Sequence, residues 1–244
     1  MFLEHFKITG VAMAQIFVLG ALGYILVRKN MLSSAGLDAL SRLVIQIIFP
    51  ALIFTQLLKN FSFSLYPNWW IFPLSSLAIT AAGLIVGLFL LKLIKLKTHR
   101  LQFLSLVGFQ NSGYLPLAMV ASMFSGQEMN NIFIYIFLFL LGFDLVAWSL
   151  GIYMLTYDKE VKFKLRHIFS APVITNLATL ALIALGLNRF VPDTVFKPIQ
   201  MVGSCTLPLA LIVVGGNVAL VQLKNIDKKA VFFFLLGKLI ILPV

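Results

Sequence analysis

The stretch Gly108-Phe109-Gln110-Asn111-Ser112-Gly113-Tyr114-Leu115-Pro116-Leu117-Ala118-Met119 puts a polar, helix-breaking cluster inside an uncharged segment that runs from Leu101 to Gln127. Hydrocarbon offers no water to backbone groups, so non-helical backbone at membrane depth persists only where it is buried in protein or lines a watery cavity. The break therefore predicts a site. Leu115 precedes a proline and is biased away from the α region, and Pro116 suits the first position of a new helix. The next amides, at Leu117 to Met119, are then expected to lack an intrahelical acceptor and to form a small positive pole. Gln110, Asn111, Ser112 and the Tyr114 hydroxyl add hydrogen-bonding groups around Gly113 and Pro116, an arrangement suited to a carboxylate or similar anion. The alternative is a proline kink whose polar side chains only bond neighbouring helices.

Composition agrees with a membrane setting. Of 244 residues, 61% are hydrophobic and 11% charged, and the mean hydropathy is +1.02, which places the chain outside the soluble globular range. The formal net charge of +11 would suggest nucleic acid in a soluble protein, but the basic residues sit mainly in short loops between apolar runs, where they orient the chain in a bilayer. The lone Cys205 excludes a disulfide framework and any C-x-x-C metal or redox motif. The first apolar segment, Ile8 to Val27, is followed by Arg28-Lys29 rather than by a small-residue cleavage site, so it is expected to remain as a span.

Uncharged runs near the ~20 residues needed to cross hydrocarbon predict spans at 7–27, 37–58, 69–92, 100–124, 130–157, 169–188, 196–222 and 230–244. Alternate loops differ in charge. One side collects Arg28, Lys29, Lys92, Lys95, Lys97, Arg100, Lys159, Lys162, Lys164, Arg166, Lys224, Lys228 and Lys229, and the other only Lys7, Lys59, Arg189 and Lys197. The first group is expected to be cytoplasmic, with the N-terminus outside.

An internal repeat is also visible. Leu43-Val44-Ile45-Gln46-Ile47-Ile48-Phe49-Pro50-Ala51-Leu52-Ile53 and Met201-Val202-Gly203-Ser204-Cys205-Thr206-Leu207-Pro208-Leu209-Ala210-Leu211 share an apolar run with a central proline, offset by 158 positions. Five spans per unit is odd, so two such units face opposite ways, as in many secondary transporters. The domains expected are a first five-helix repeat at 1–157, a cytoplasmic linker at 158–168 and an incomplete second repeat at 169–244. The counterpart of Pro116 is expected at about position 274, past Val244, which predicts that the sequence is the front part of a longer ten-span protein.

The Gly108-Phe109-Gln110-Asn111-Ser112-Gly113-Tyr114-Leu115-Pro116-Leu117-Ala118 stretch resembles the fourth-span crossover motif of the auxin efflux carrier family, supported by Pro208-Leu209-Ala210-Leu211 and Lys238-Leu239-Ile240-Ile241-Leu242-Pro243. The resemblance implies an all-α polytopic membrane protein with inverted five-helix repeats and a broken crossover helix, the bile-acid symporter or NhaA-like fold. It implies a scaffold part from spans one, two, six and seven and a transport part from the rest. It further implies transport of small organic anions, auxin-like or dicarboxylate, with Asn111 contacting substrate and Pro116 at the crossover break. The short loop between spans five and six is closer to the compact prokaryotic type, so a bacterial inner membrane is the expected location.

Other residues carry weaker signals. Asp144 and Lys238 fall near mid-depth of their spans, where ionisable groups usually face a bundle interior or pathway, and they are candidates to pair or share a proton in coupling. The bland alternative is that Lys238 snorkels and Asp144 bonds a neighbouring helix. Pro50 and Pro208 are expected to kink the scaffold, and Gly215, Gly216 and Asn217 to allow close packing. Tyr66, Trp69 and Trp70 are expected as interface anchors. His5, His99 and His167 lack metal-site spacing, and no nucleophile-and-base set suggests an enzyme. The expected partners are a small organic anion, the lipid bilayer and a second copy in a homodimer, with no nucleic acid. No cofactor is expected, and the coupling ion, proton or sodium, is not readable. A membrane sensor or scaffold of the same fold, without transport, is the competing reading.

Overall fold

The computed structural model describes residues 2–94, 99–156, 169–221 and 227–243. The expected linker at 158–168 lies outside the described residues, as do Lys95, Lys97, Lys224 and His167. Every regular element among the described residues is helical: α1 (Phe2–Arg28), α2 (Ser34–Leu43), α3 (Phe49–Asn60), α4 (Ile71–Ile94), α5 (Arg100–Gly108), α6 (Tyr114–Met123), α7 (Gly126–Val146), α8 (Ile152–Thr156), α9 (Ala171–Ala184), α10 (Asp193–Ser204), α11 (Thr206–Leu220) and α12 (Lys228–Leu236). Wider π-helical turns at Val44–Ile48 and Ala147–Gly151 join α2 to α3 and α7 to α8, and a third, Gly237–Ile241, extends α12. The protein is an all-α polytopic membrane protein. Among the described residues, five continuous helical segments are long and apolar enough to cross a bilayer: Phe6–Arg28, Ser34–Asn60, Ile71–Ile94, Gly126–Leu155 and Asp193–Leu220.

The remaining predicted spans differ from simple crossings. The fourth is cut into α5 and α6, and the eighth is described as the short α12 and the π-helical turn Gly237–Ile241. The sixth is only the 14 residues of α9, because Gly186, at φ 68°, takes the left-handed conformation that ends helices and leads into the 3₁₀ turn Leu187–Phe190. Helix starts follow local chemistry. The Ser33 hydroxyl accepts from the Gly36 amide (3.1 Å) to cap α2, and the Asp227 carboxylate accepts from the amides of Lys229 and Ala230 to cap α12.

The chain divides into two compact units, residues 1–69, 112–138 and 171–222 in the first and 70–111, 139–170 and 223–244 in the second. The first unit therefore holds spans one, two, six and seven, but also α6 and the front of α7, which the family resemblance assigns to the transport part. Within it α1 crosses α11 at very close range. A Cβ on Gly215 would strike the carbonyl of Gly20, and one on Gly23 the carbonyl of Ile212. Glycine at both positions lets the two backbones touch, the usual device where lipid gives no hydrophobic drive for helix association. Gly216 packs on Leu37 and Val27, and the Asn217 amide bonds the Val213 carbonyl of its own helix (3.0 Å), so this run serves packing as expected. Val27, Leu37, Val44, Ile48, Ala210 and Val213 form the adjoining core.

Both scaffold prolines sit in the first turn of a helix. Pro50 follows the π-helical turn at the start of α3. Pro208 lies just past the joint at Cys205, where α10 ends because proline brings no N–H to the Ser204 carbonyl. The two joints meet: the Thr206 hydroxyl donates to the Ile48 carbonyl (3.1 Å), its partner 158 positions earlier, and also to Gly203 (2.7 Å). Gly203 allows this approach, since a Cβ there would lie 2.8 Å from the Leu52 amide nitrogen.

Tyr66 departs from the expected interface anchor. It is 8% exposed, stacks on Phe61 (5.4 Å) and meets Tyr135 edge-on (5.6 Å), while its hydroxyl donates to Asn131 (2.9 Å). Burial, and then the neighbouring Tyr135, pushes the Tyr66 phenol above its usual range. Trp70 is half-exposed, as an anchor would be.

In the second unit, α4 lies on α5, with Gly83 close against Gly108; a Cβ on Gly83 would sit 3.0 Å from the Gly108 carbonyl. Leu90, Leu91, Ile94, Phe103, Leu104, Val107 and Met154 form its core, covered by Phe233, Phe234 and Leu242.

Candidate functional site

The interruption begins where α5 ends. The Phe109 amide makes the last helical bond, to the Ser105 carbonyl (2.8 Å), and Phe109 itself is extended at φ −93°, ψ 132°. Gln110, Asn111 and Ser112 are non-helical, and Gly113 precedes α6. The new helix starts at Tyr114, not at Pro116. Leu115 is helical despite the proline after it, and the Leu117 amide is taken by the Gly113 carbonyl (3.1 Å). Pro116 still falls in the first turn, where its missing N–H removes no ladder bond. The positive pole expected at Leu117 to Met119 is thus moved back toward Gly113, by about half a turn.

Three polar side chains of the break, those of Gln110, Asn111 and Ser112, are uncommitted among the described residues. Asn111 is exposed, Gln110 and Ser112 are half-buried, and none of the three makes a side-chain hydrogen bond among the described residues. The Tyr114 ring lies edge-on to Phe49 (5.2 Å) and packs on the Val27 to Val213 core of the first unit. The Gly113 position is open, with nothing within 4 Å of a Cβ built there. The division into units runs through this stretch. Gln110 and Asn111 belong to the second unit, and Ser112, Gly113, Tyr114 and Pro116 to the first.

Phe109, which sequence reasoning did not single out, is held at the break by three contacts. Its ring meets Phe143 edge-on (6.2 Å) and rests against Gly151, where a Cβ would lie 3.3 Å from the ring. Its carbonyl accepts from the Lys238 ammonium at 2.8 Å. Lys238 comes from the π-helical turn Gly237–Ile241, so the three contacts converge from the α7–α8 and α12 segments of the same unit.

Asp144 and Lys238 are not joined. Both belong to the second unit, but no ion pair links them among the described residues, and Asp144, half-buried in α7, has no hydrogen-bond partner there. Lys238 pairs with no carboxylate among the described residues; its ammonium reaches a main-chain oxygen. Pro50 and Pro208 lie in the first unit and shape its two joints. Sequence reading also passed over Asn176 of α9, 2% exposed, whose amide donates to the Phe137 carbonyl of α7 (2.7 Å) while its own oxygen is buried without a partner among the described residues. A groove of about 640 Å³ in the first unit runs along α1, α6 and α11 past Leu19, Ala118, Leu207 and Pro208. Gln15, Ser122 and Ser204 are its few polar residues, so its apolar walls suit an acyl chain or another helix better than an anion.

Several membrane-competent helices, with one predicted span interrupted by non-helical polar residues, define a polytopic membrane protein with a broken helix. The chain is a member of the membrane transport protein family, the auxin efflux carrier family, which matches residues 9–162. It is similar to Protein PIN-LIKES 6 of Arabidopsis thaliana, 28% identical over 120 residues that take in 48% of this chain and 28% of that protein. It is also similar to an uncharacterized transporter of Schizosaccharomyces pombe, 27% identical over 110 residues, 45% of this chain and 24% of that one. The chain thus aligns with well under two thirds of the length of these curated relatives. The family is described as one of membrane transport proteins, and the Schizosaccharomyces pombe relative is named as a transporter.

Proposed function

We propose that the protein is a secondary carrier of small organic anions, auxin-like or dicarboxylate, which bind at the break from Gln110 to Pro116. The observation that carries this reading is that the side chains of Gln110, Asn111 and Ser112, at a helix interruption within an apolar stretch, are unengaged among the described residues. Amide and hydroxyl donors beside a helix N-terminus stabilise a carboxylate in a medium of low dielectric. No bond in the substrate is made or broken. The transported anion exchanges sides by an elevator-type movement of a transport part against a scaffold part, in efflux or exchange. The inverted five-helix repeat is supported by the contact of Thr206 with Ile48, since residues near a two-fold axis touch their own equivalents and these two differ by the 158-position repeat offset. The proposed setting is a bacterial inner membrane with the N-terminus outside.

The test is uptake of radiolabelled malonate and indole-3-acetate into proteoliposomes holding the purified protein. Saturable flux above empty vesicles is expected for at least one of the two. Specific binding with no flux would sink the carrier reading in favour of a non-transporting sensor.

A further inference from the structure

We infer that Lys238 supplies the positive charge of the anion site, holding the break in place through the Phe109 carbonyl and facing the bound carboxylate with its remaining N–H groups. This rests on the reading of the break as the anion site. Lys238 lies in the apolar stretch that the sequence reads as a span, half-buried, with its ammonium 2.8 Å from the Phe109 oxygen. An ammonium has three N–H donors and the carbonyl uses one. No Asp or Glu forms an ion pair with Lys238 among the described residues, Asp144 included. A cation in such a place is costly unless something offsets its charge. The neutral carbonyl gives a hydrogen bond but no counter-charge.

The location of that carbonyl gives the lysine its role. Phe109 immediately precedes Gln110 and stands two residues before Asn111, all three in the same unit. Its ring is fixed between Phe143 and Gly151, so the carbonyl is a firm post rather than a loose loop atom. A charge tied to that post stays within reach of whatever the Gln110 and Asn111 amides hold. The division of labour follows from donor chemistry: amides orient a ligand of either charge state, whereas the ammonium selects the ionised one. Lys238 also positions the break, and a positioning role alone would predict equal loss for charged and neutral ligands when it is removed.

The experiment compares each carboxylate with its uncharged amide, malonate with malonamide and indole-3-acetate with indole-3-acetamide, by equilibrium binding to the purified protein in detergent. The wild type is expected to prefer a carboxylate by roughly tenfold or more, the size of one charge-assisted hydrogen bond. K238M is expected to bring that preference close to one. Because K238M also removes the bond to Phe109 and can lose its fold, K238Q is measured beside it; glutamine keeps an N–H donor without the charge and is expected to lose the preference equally. Asn111→Ala is expected to weaken acid and amide together and leave their ratio unchanged. A folded K238M or K238Q that retains the wild-type preference overturns the assignment of Lys238 while the anion site stands. A wild type that binds neither carboxylate overturns the anion site itself, and the assignment with it.

Discussion

Asn111 is exposed, carries an amide that no neighbour engages among the described residues, and stands two residues beyond the anchored Phe109. Its loss should therefore act on ligand and not on fold. Asn111→Ala is expected to reduce anion affinity by about fivefold, the worth of one ordinary hydrogen bond of about 1 kcal/mol, while the melting temperature in detergent stays put, as for an exposed substitution worth under about 0.5 kcal/mol. A matched drop in both would make Asn111 structural. Asn111 and its neighbours were legible because polar residues and a proline stand out inside an uncharged run. Phe109 was not, since an aromatic residue in an apolar span carries no signal of its own; only the ring contacts and the Lys238 bond, 129 positions away in sequence, distinguish it. Tyr66 is the reverse case. A tyrosine beside two tryptophans reads as an interface anchor, yet its ring is enclosed and its hydroxyl bonds Asn131. Tyr66→Phe keeps the packing and removes that bond, so a loss of about 1 kcal/mol is expected, read as a lower melting temperature; no change would mean the Asn131 bond contributes nothing.

At the scale of elements, the crossing of α1 and α11 is where a single side chain does most harm. The Cβ of any residue at 215 would strike the Gly20 carbonyl, and backbone cannot step aside as a flexible side chain does. Gly215→Leu is expected to destabilise the protein by roughly 2 kcal/mol or more through overpacking, seen as a fall in melting temperature or failure to recover monodisperse protein. Gly10 offers the control, since nothing lies within 4 Å of a Cβ there, and Gly10→Leu should be tolerated. The break between α5 and α6 shows what local rules could and could not give. Proline and glycine announced an interruption, but the start of α6 depends on the Gly113 carbonyl capturing the Leu117 amide, which moved the helix end two residues ahead of Pro116. The short α9 follows the same pattern: its apolar run suggested a full span, and the left-handed turn at Gly186 ended it early.

For the whole molecule, the charge asymmetry carries a topology that can be tested directly. Lys7, Lys59 and Lys197 belong to the sparse side and Arg28, Lys92 and Lys229 to the rich one. In a Cys205→Ala background, single cysteines at positions 7, 59 and 197 are expected to react with a membrane-impermeant maleimide added to intact cells, and those at 28, 92 and 229 only after permeabilisation. Labelling of both sets in intact cells would refute the orientation.

The sequence by itself determined that the chain is a helical membrane protein, where most spans run, and that the fourth is broken, because hydrophobic length, proline and glycine act within a few residues of chain. It also exposed the 158-position echo of the two proline segments. Only the tertiary structure decided what those features touch. That Thr206 bonds Ile48, that Gly215 meets Gly20, and that Lys238 serves the Phe109 carbonyl instead of Asp144 are pairings of residues far apart in sequence. Such pairings depend on which helix faces come together, and a span that is apolar on all sides gives little local sign of its partner.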